Sequence, residues 1–331
     1  MKFLIAGFGS IGRRHLRNLI SLGQNDIVLL RSHKSTLPED EIKDIPVETN
    51  ITDALAHHPD GVVIANPTAL HLDTAIPAAE AGCAVFMEKP VTDSMDRLPE
   101  LRQALTKNGG RMQMGFQFRF HPGFATLREL IDTGRIGRPL SFRAEWGEYL
   151  PGWHPWEDYR KSYSARKDLG GGVLLTLSHP LDYVRYLFGD PDLIWGMNGK
   201  ISELELEVDD IAEIGMTMRN GMTGSIHLDY YCRPVRNQLE VIGSEGCLKW
   251  TNDDSKVVLT AADGTVEEYL PAGGFERNQL FIGEMQRFIE VTAGTAAPSC
   301  TLDDGIAAQR MVDLVRRSWT EKRMLPYAEE K

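Results

Sequence analysis

Residues 2–23 read KFLIAGFGSIGRRHLRNLISLG: a short apolar run, a glycine-rich turn and an amphipathic segment, in that order. The run Phe3-Leu4-Ile5-Ala6 leads directly into Gly7-Phe8-Gly9-Ser10-Ile11-Gly12. Apolar residues then recur at helical spacing (Ile11, Leu16, Leu19, Ile20) and stop at Gly23, a residue type favoured just past a helix end. Strand, G-x-G-x-x-G turn and helix in this order form the dinucleotide fingerprint in the context it requires. Gly7 permits the tight turn, Gly9 lets backbone approach a pyrophosphate, and Gly12 lets the helix pack closely on the strand. The helix start offers phosphates its unpaired N–H groups and a partial positive charge. Residues Gly7, Phe8, Gly9, Ser10, Ile11 and Gly12 are therefore candidate cofactor-binding residues.

The second strand, predicted over 27–30, decides which dinucleotide is expected. A NAD site places Asp or Glu at the end of that strand to hold the ribose 2′-OH. Here the chain continues Arg31-Ser32-His33-Lys34, with no carboxylate. A guanidinium, a hydroxyl and an ammonium suit a 2′-phosphate. NADP(H) is expected ahead of NAD(H), with Arg31 and Ser32 as its partners; a merely charged surface loop is the competing reading.

Beyond it, residues 61–65 form a continuous apolar run, as in a strand buried on both faces of a parallel sheet. A helix follows over 71–82, a strand over 84–87, a helix over 95–107 and a strand over 112–116. Strands alternating with helices predict a doubly wound α/β sheet occupying residues 1–120. Ligands bind beyond the carboxyl ends of such strands. That rule adds Asn66, Pro67, His71, Glu88, Lys89 and Gln117 to the cofactor-facing rim, although Asn66-Pro67-Thr68 alone reads equally well as a turn and helix cap.

At 331 residues the chain calls for two domains. With 42% hydrophobic and 25% charged residues it has the composition of a soluble globular protein. A net charge of −11 and a pI of about 5.4 argue against a nucleic-acid or anionic-membrane binder. Cys83, Cys232, Cys247 and Cys300 are widely spaced, so neither a metal site nor a disulfide framework is expected. Reduced thiols and a glycine-broken N-terminal run, too short for a signal peptide, predict a cytoplasmic protein.

From residue 121 the pattern changes. A helix over 124–133 and a strand over 139–146 precede the stretch 148–168, EYLPGWHPWEDYRKSYSARKD, which reads as a long ordered loop. Gly170-Gly171-Gly172 opens a helical segment to residue 188, with a restart expected at Ser178 because Pro180 suits a first turn. Alternating segments over 193–198, 211–218, 224–231, 238–243 and 247–250 predict a largely antiparallel sheet. Helices over 278–293 and 302–321 close the chain, making residues 121–331 a second, α+β domain.

Two residue sets bear chemistry. Lys89 stands at a strand end on the cofactor rim, and Pro90 holds it in extended geometry. A lysine in a partly dry site can titrate nearer neutrality and handle protons; the plainer reading is a surface Lys paired with Glu88. His179 opens a helical turn, and Asp182, three residues on, shares its face and is positioned to orient the imidazole. The stretches around Arg119, Tyr149, His154, Trp156, Tyr159, Arg160, Lys161, Tyr163, Arg166 and Lys167 concentrate cations and aromatic rings. They point to an anionic or sugar-like ligand, or else to a solvated loop paired with Glu145, Glu148 and Asp158.

These motifs resemble the glucose–fructose oxidoreductase / inositol dehydrogenase / MocA (Gfo/Idh/MocA) family of sugar oxidoreductases. The matching features are Gly7-x-Gly9-x-x-Gly12, Asn66-Pro67-x-x-x-His71 and Glu88-Lys89-Pro90. Gly170-Gly171-Gly172 with His179-x-x-Asp182, and Glu240-Val241-x-Gly243-x-x-Gly246, follow in family order. The resemblance implies a Rossmann domain and an open-sheet domain through which a homodimer or homotetramer forms. It implies that Lys89 and His179 are catalytic, with a sugar, sugar acid or nucleotide-sugar lying between them and the nicotinamide. Arg119, Trp156, Tyr159, Arg160, Tyr163, Thr176 and Asp182 are the expected substrate-side residues, and no metal is expected. Many members carry an aspartate shortly before the histidine; here Thr176 stands nearest that place. An NAD-dependent inositol or polyol dehydrogenase, and a non-catalytic dinucleotide-sensing regulator, are the alternatives.

Overall fold

The computed structural model describes residues 1–32, 42–271 and 273–328. Two compact units result: residues 1–117 with 277–306, and residues 118–276 with 307–331.

The first unit holds six parallel strands: β1 (Lys2–Ala6), β2 (Asp26–Leu30), β3 (Val47–Glu48), β4 (Gly61–Ile64), β5 (Ala84–Glu88) and β6 (Met112–Gly115). Their order, β3-β2-β1-β4-β5-β6, is the doubly wound Rossmann arrangement. β4 and β5 are buried along their whole length, as continuous apolar runs require. Helices α1 (Ser10–Ser21), α2 (Ile51–Leu55), α3 (His71–Glu80) and α4 (Leu98–Leu105) connect them.

The second unit contains helices α5 (Pro122–Asp132), α6 (Val173–Thr176) and α7 (His179–Phe188). Its strands are β7 (Pro139–Gly147), β8 (Pro191–Gly199), β9 (Ile211–Met218), β10 (Thr223–Asp229), β11 (Arg236–Gly243), β12 (Gly246–Thr251), β13 (Val257–Ala261), β14 (Val266–Tyr269) and β15 (Leu325–Pro326). They form one nine-stranded sheet in the order β14-β13-β12-β11-β7-β10-β9-β8-β15. β7 and β10 run parallel and the other described pairs antiparallel, so the sheet is mixed. Phe118, Phe124, Tyr183 and Trp250 interlock in its core, with ring centroids 4.7–6.5 Å apart.

Two features depart from the sequence reading. β13, β14 and β15 are absent from the sequence reading: β14 (VEEY) is too charged and β15 (LP) too short to stand out, while β13 (VVLTA) is an uncharged, readable run that the sequence reading passes over. The last helices also divide differently. α8 (Asn278–Thr292), assigned from sequence to the second domain, packs in the first unit's core, where Met285, Phe288 and Ile289 join Phe3, Ile5 and Phe86. Phe288 stands 5.9 Å from Phe3 and 5.6 Å from Phe86, centroid to centroid. Only this burial, between residues far apart in sequence, decides where an amphipathic helix docks. The first residues of α9 (Leu302–Glu321) belong to the first unit and the remainder to the second.

Candidate active site

The glycines of the first turn do the work their spacing predicts. Gly7 lies at φ +93°, and a Cβ there would come 2.5 Å from the Asn66 backbone nitrogen. A Cβ on Gly12 would overlap the Gly7 carbonyl oxygen, so helix and strand meet at the closest approach that glycine allows. Gly9 faces open space within 4 Å. It is also the N-cap of α1, which has no side-chain cap and no acidic residue in its first turn. The cradle therefore fits a dinucleotide pyrophosphate: uncapped N–H groups, a dipole of the right sign and no side chain in the way.

Arg31 follows β2 and is buried, with its guanidinium carbon 5.8 Å from the Phe8 ring centroid; that of Arg13 lies 4.4 Å from the same ring. Ser32 is exposed, whereas His33 and Lys34 lie outside the described residues. Two guanidiniums thus converge on Phe8 beside the fingerprint turn.

His71, expected to face the cofactor, is instead a buried strut. Nδ1 lies 2.9 Å from the Pro90 carbonyl oxygen and Nε2 3.0 Å from that of Asn66, tying the rim turn after β4 to the one after β5. Burial pushes its pKa down, so the imidazole is neutral and donates one of these bonds at a time. The Asn66 amide donates to Thr74 Oγ1 at 3.1 Å and to the Leu70 carbonyl at 3.3 Å. Asn66 and Pro67 therefore shape the rim.

Lys89 follows the last residue of β5. Burial lowers its pKa from 10.5 to about 8, against the opposing pull of the Glu88 carboxylate and assisted by the charge of Arg277. An ammonium so poised gives up its proton near neutral pH, as a proton-handling group must. Glu88, expected among the cofactor-facing residues, turns inward: Oε1 lies 2.7 Å from His15 Nε2, with Glu88 8% and His15 0% exposed. Gln117 is buried at the end of this unit.

In the second unit, His179 is the first residue of α7, with Pro180 beside it in the first turn and Ser178 at the cap, as expected. The imidazole is buried, stacked on Trp146 at 5.3 Å and edge-on to Phe118 at 5.2 Å. Asp182, expected to orient it, accepts from Arg119 Nε (3.0 Å to Oδ2) and Nη2 (2.6 Å to Oδ1). The Arg119 guanidinium also lies 5.3 Å from the Tyr186 ring centroid. Arg119, expected to meet an anionic substrate, is thus one half of a buried ion pair with side chains 7% and 1% exposed.

Two of the other expected cations, Arg160 and Arg166, are paired locally too. Arg160 binds Asp158 (2.7 Å) and Glu205 (2.8 Å), and Arg166 binds Asp168. The Tyr159 hydroxyl accepts from the Glu205 backbone nitrogen at 3.1 Å, while Trp156 (67%) and Tyr163 (38%) are exposed to solvent. Thr176 is buried at the end of α6.

Sequence reasoning missed Asp209. Its Oδ2 accepts from Leu174 N at 3.0 Å, and its Oδ1 would lie 2.5 Å from a Cβ on Gly172, whose φ is +108°. Burial raises its pKa. Gly172 thus serves to admit a carboxylate from a remote loop to the start of α6. His15 and Glu284 were missed as well. Glu284 had a readable signal: a charge set in the apolar stripe Leu280, Phe281, Met285, Phe288.

Residues 1–116 match the oxidoreductase family with a NAD-binding Rossmann fold, and residues 124–249 match the GFO/IDH/MocA C-terminal domain. The chain belongs to the Gfo/Idh/MocA family of oxidoreductases. This Gfo/Idh/MocA protein is 27% identical over 325 residues to the scyllo-inositol 2-dehydrogenase (NAD(+)) of Bacillus subtilis, covering 92% of each chain. It is 26% identical to the myo-inositol 2-dehydrogenase of Thermotoga maritima, with 99% of each covered. Among solved structures, levoglucosan dehydrogenase in complex with NADH superposes with a TM-score of 0.86 at 20% identity, covering 100% of both chains. An oxidoreductase domain protein from Kribbella flavida gives 0.87 at 21%, covering 99% of both, and both likenesses establish the shared fold. Among the described residues, no helix is long and apolar enough to cross a membrane.

Proposed function

We propose that this oxidoreductase exchanges a hydride between a nicotinamide dinucleotide and a carbinol carbon of a sugar or polyol, with Lys89 and His179 handling the hydroxyl proton. The observation that carries the reading is Lys89: an ammonium at the end of β5, on the dinucleotide-binding unit, desolvated until it titrates at about 8. When bound, the nicotinamide accepts or gives the hydride at C4. During oxidation the His179 imidazole takes the hydroxyl proton, and during reduction the imidazolium returns it, while in both directions the Lys89 ammonium stabilises the developing alkoxide. The aromatic wall of Trp146 and Phe118 holds the imidazole in one plane. Because Arg119, Arg160 and Arg166 are neutralised by their own acids, a neutral sugar or polyol suits the second unit better than a sugar acid.

NADP(H) is the proposed cofactor, supported by Arg31 and Arg13 beside Phe8 and by the lack of a carboxylate directly after β2. A second reading, an NAD-dependent inositol dehydrogenase, is favoured by the inositol dehydrogenase activities named for the Bacillus and Thermotoga relatives and by the NAD(+) named for the former. The nine-stranded sheet is the proposed surface for a homodimer or homotetramer, testable by light scattering.

The test is absorbance of reduced nicotinamide during turnover of a panel of inositols, anhydrosugars, sugar acids and nucleotide-sugars with each cofactor. Lys89→Ala and His179→Ala are expected to abolish turnover with cofactor affinity retained. Full turnover in either variant overturns the assignment. Unchanged NADP(H) affinity in Arg31→Ala overturns the cofactor preference.

A further inference from the structure

Three ionisable side chains from three elements converge in the interior of the first unit: His15 from α1, Glu88 from the end of β5 and Glu284 from α8. One ligating atom from each lies within 4.8 Å of the other two. His15 and Glu284 have no exposed surface. His15 Nε2 and Glu88 Oε1 are hydrogen-bonded at 2.7 Å, and the Glu88 side chain runs past Gly115, where a Cβ would stand 3.3 Å from Glu88 Cδ. The His15 ring is held edge-on against Phe86 at 5.0 Å. Both Glu284 oxygens lack a hydrogen-bond partner among the described residues, although the carboxyl reaches toward the other two groups.

A buried, unpartnered carboxylate is expensive, and two carboxylates this close in a dry interior do not both ionise. One proton is therefore held in common. Glu88 has His15 as a hydrogen-bond partner, whereas neither Glu284 oxygen has one among the described residues. Burial, and then the Glu88 charge, push the Glu284 pKa well up, with Arg14 opposing. Arg14 in turn faces Arg277 and Arg17. Lys89 follows Glu88 in the chain; burial disfavours its ammonium, the Glu88 charge favours it and the Arg277 charge opposes it.

We propose that His15, Glu88 and Glu284 form a proton-sharing site, with Glu284 as its carboxylic acid and Glu88 as its one carboxylate, and that the single negative charge this leaves on the site favours the neighbouring Lys89 ammonium. The proposal rests on the role assigned to Lys89 above, yet it is tested without turnover. A divalent cation held by the same three groups, a set zinc accepts, is the competing occupant.

The experiment is a carbon-13 NMR titration of the whole protein labelled at lysine Cε and glutamate Cδ, with Lys89 identified by Lys89→Arg. Wild type is expected to show one glutamate carboxyl still protonated at pH 7, and Glu284→Gln to lose that signal. Because glutamine keeps a neutral donor, the Lys89 midpoint in Glu284→Gln stays at its wild-type value. Glu88→Gln removes the adjacent negative charge and weakens Lys89 proton binding about tenfold or more, a change of a size that one nearby charge produces. It also lets Glu284 ionise at lower pH. Three results would overturn the proposal: no protonated carboxyl in wild type, a Glu284→Gln shift of Lys89 as large as that of Glu88→Gln, or stoichiometric divalent metal whose chelation alone changes these signals. Loss of the proton-sharing site leaves the Lys89→Ala turnover result standing, so the two failures are distinguishable.

Discussion

Lys89→Met removes an ammonium that the fold has desolvated while keeping most of the side-chain volume. In the folded protein Lys89 titrates at about 8 rather than 10.5. The unfolded chain therefore binds more protons between those pH values, and folding becomes more favourable as pH rises through that window. Below about pH 8 the wild type bears the whole cost of burying the charge. The gap of about 2.5 between the two pKa values corresponds to ~3 kcal/mol. The variant has no such dependence. Its stability relative to wild type is expected to fall by ~3 kcal/mol between pH 7 and pH 10.5, all other titrations being common to both proteins. Urea denaturation of both proteins at several pH values measures this difference directly. Partial solvent access to the ammonium would make the change smaller. A difference that stays constant across the window would refute the desolvation argument, and with it the main support for Lys89 as a proton-handling group. The same variant is expected to lose turnover, so stability and activity should move in opposite directions at neutral pH.

Gly12→Ala forces a methyl group into the Gly7 carbonyl oxygen, and because that neighbour is backbone, the turn must shift. Dinucleotide affinity, measured by fluorescence titration, is expected to fall at least tenfold, about 1.4 kcal/mol; retained affinity would mean that the turn is not the pyrophosphate cradle. Arg119→Ala removes the cation of a buried ion pair and is expected to cost about 3–5 kcal/mol in urea denaturation. Arg119→Met with Asp182→Leu should recover most of that loss, and failure to do so would argue for a ligand-binding role. His227 bridges Glu213 (2.6 Å) and Asp229 (3.0 Å) on the second sheet, and its hydrogen bond to Asp229, ahead of that to Glu213, raises its pKa to about 9. With the folded value above the unfolded 6.5, its stabilisation is complete below pH 6.5 and is lost as pH rises through 9. His227→Gln should therefore lag behind wild type at pH 6 and draw level above pH 9 in thermal unfolding.

How far the sequence carries can be judged from particular residues. Residues 2–30 disclose strand, turn and helix because turn chemistry and hydrophobic period are local properties, and the structure returns them within a residue or so. Pro180 likewise marks the start of α7 by its own geometry. The same reading places charges poorly. Arg119 looks available for a ligand until Asp182, 63 positions away in sequence, closes on it. Asp209 gives no sign that it belongs at the start of α6, because only the folded chain brings it there.

The sequence by itself determined the two fold classes, the dinucleotide turn and the family, since each rests on periodicity, glycine geometry and motif order along the chain. Tertiary structure alone decided that α8 completes the first unit, that Glu88 turns inward to His15 and Glu284, and that Lys89 is dry enough to titrate at about 8. The reason is that desolvation and ion pairing depend on which distant residues exclude water from a group, and nothing local in the chain encodes that.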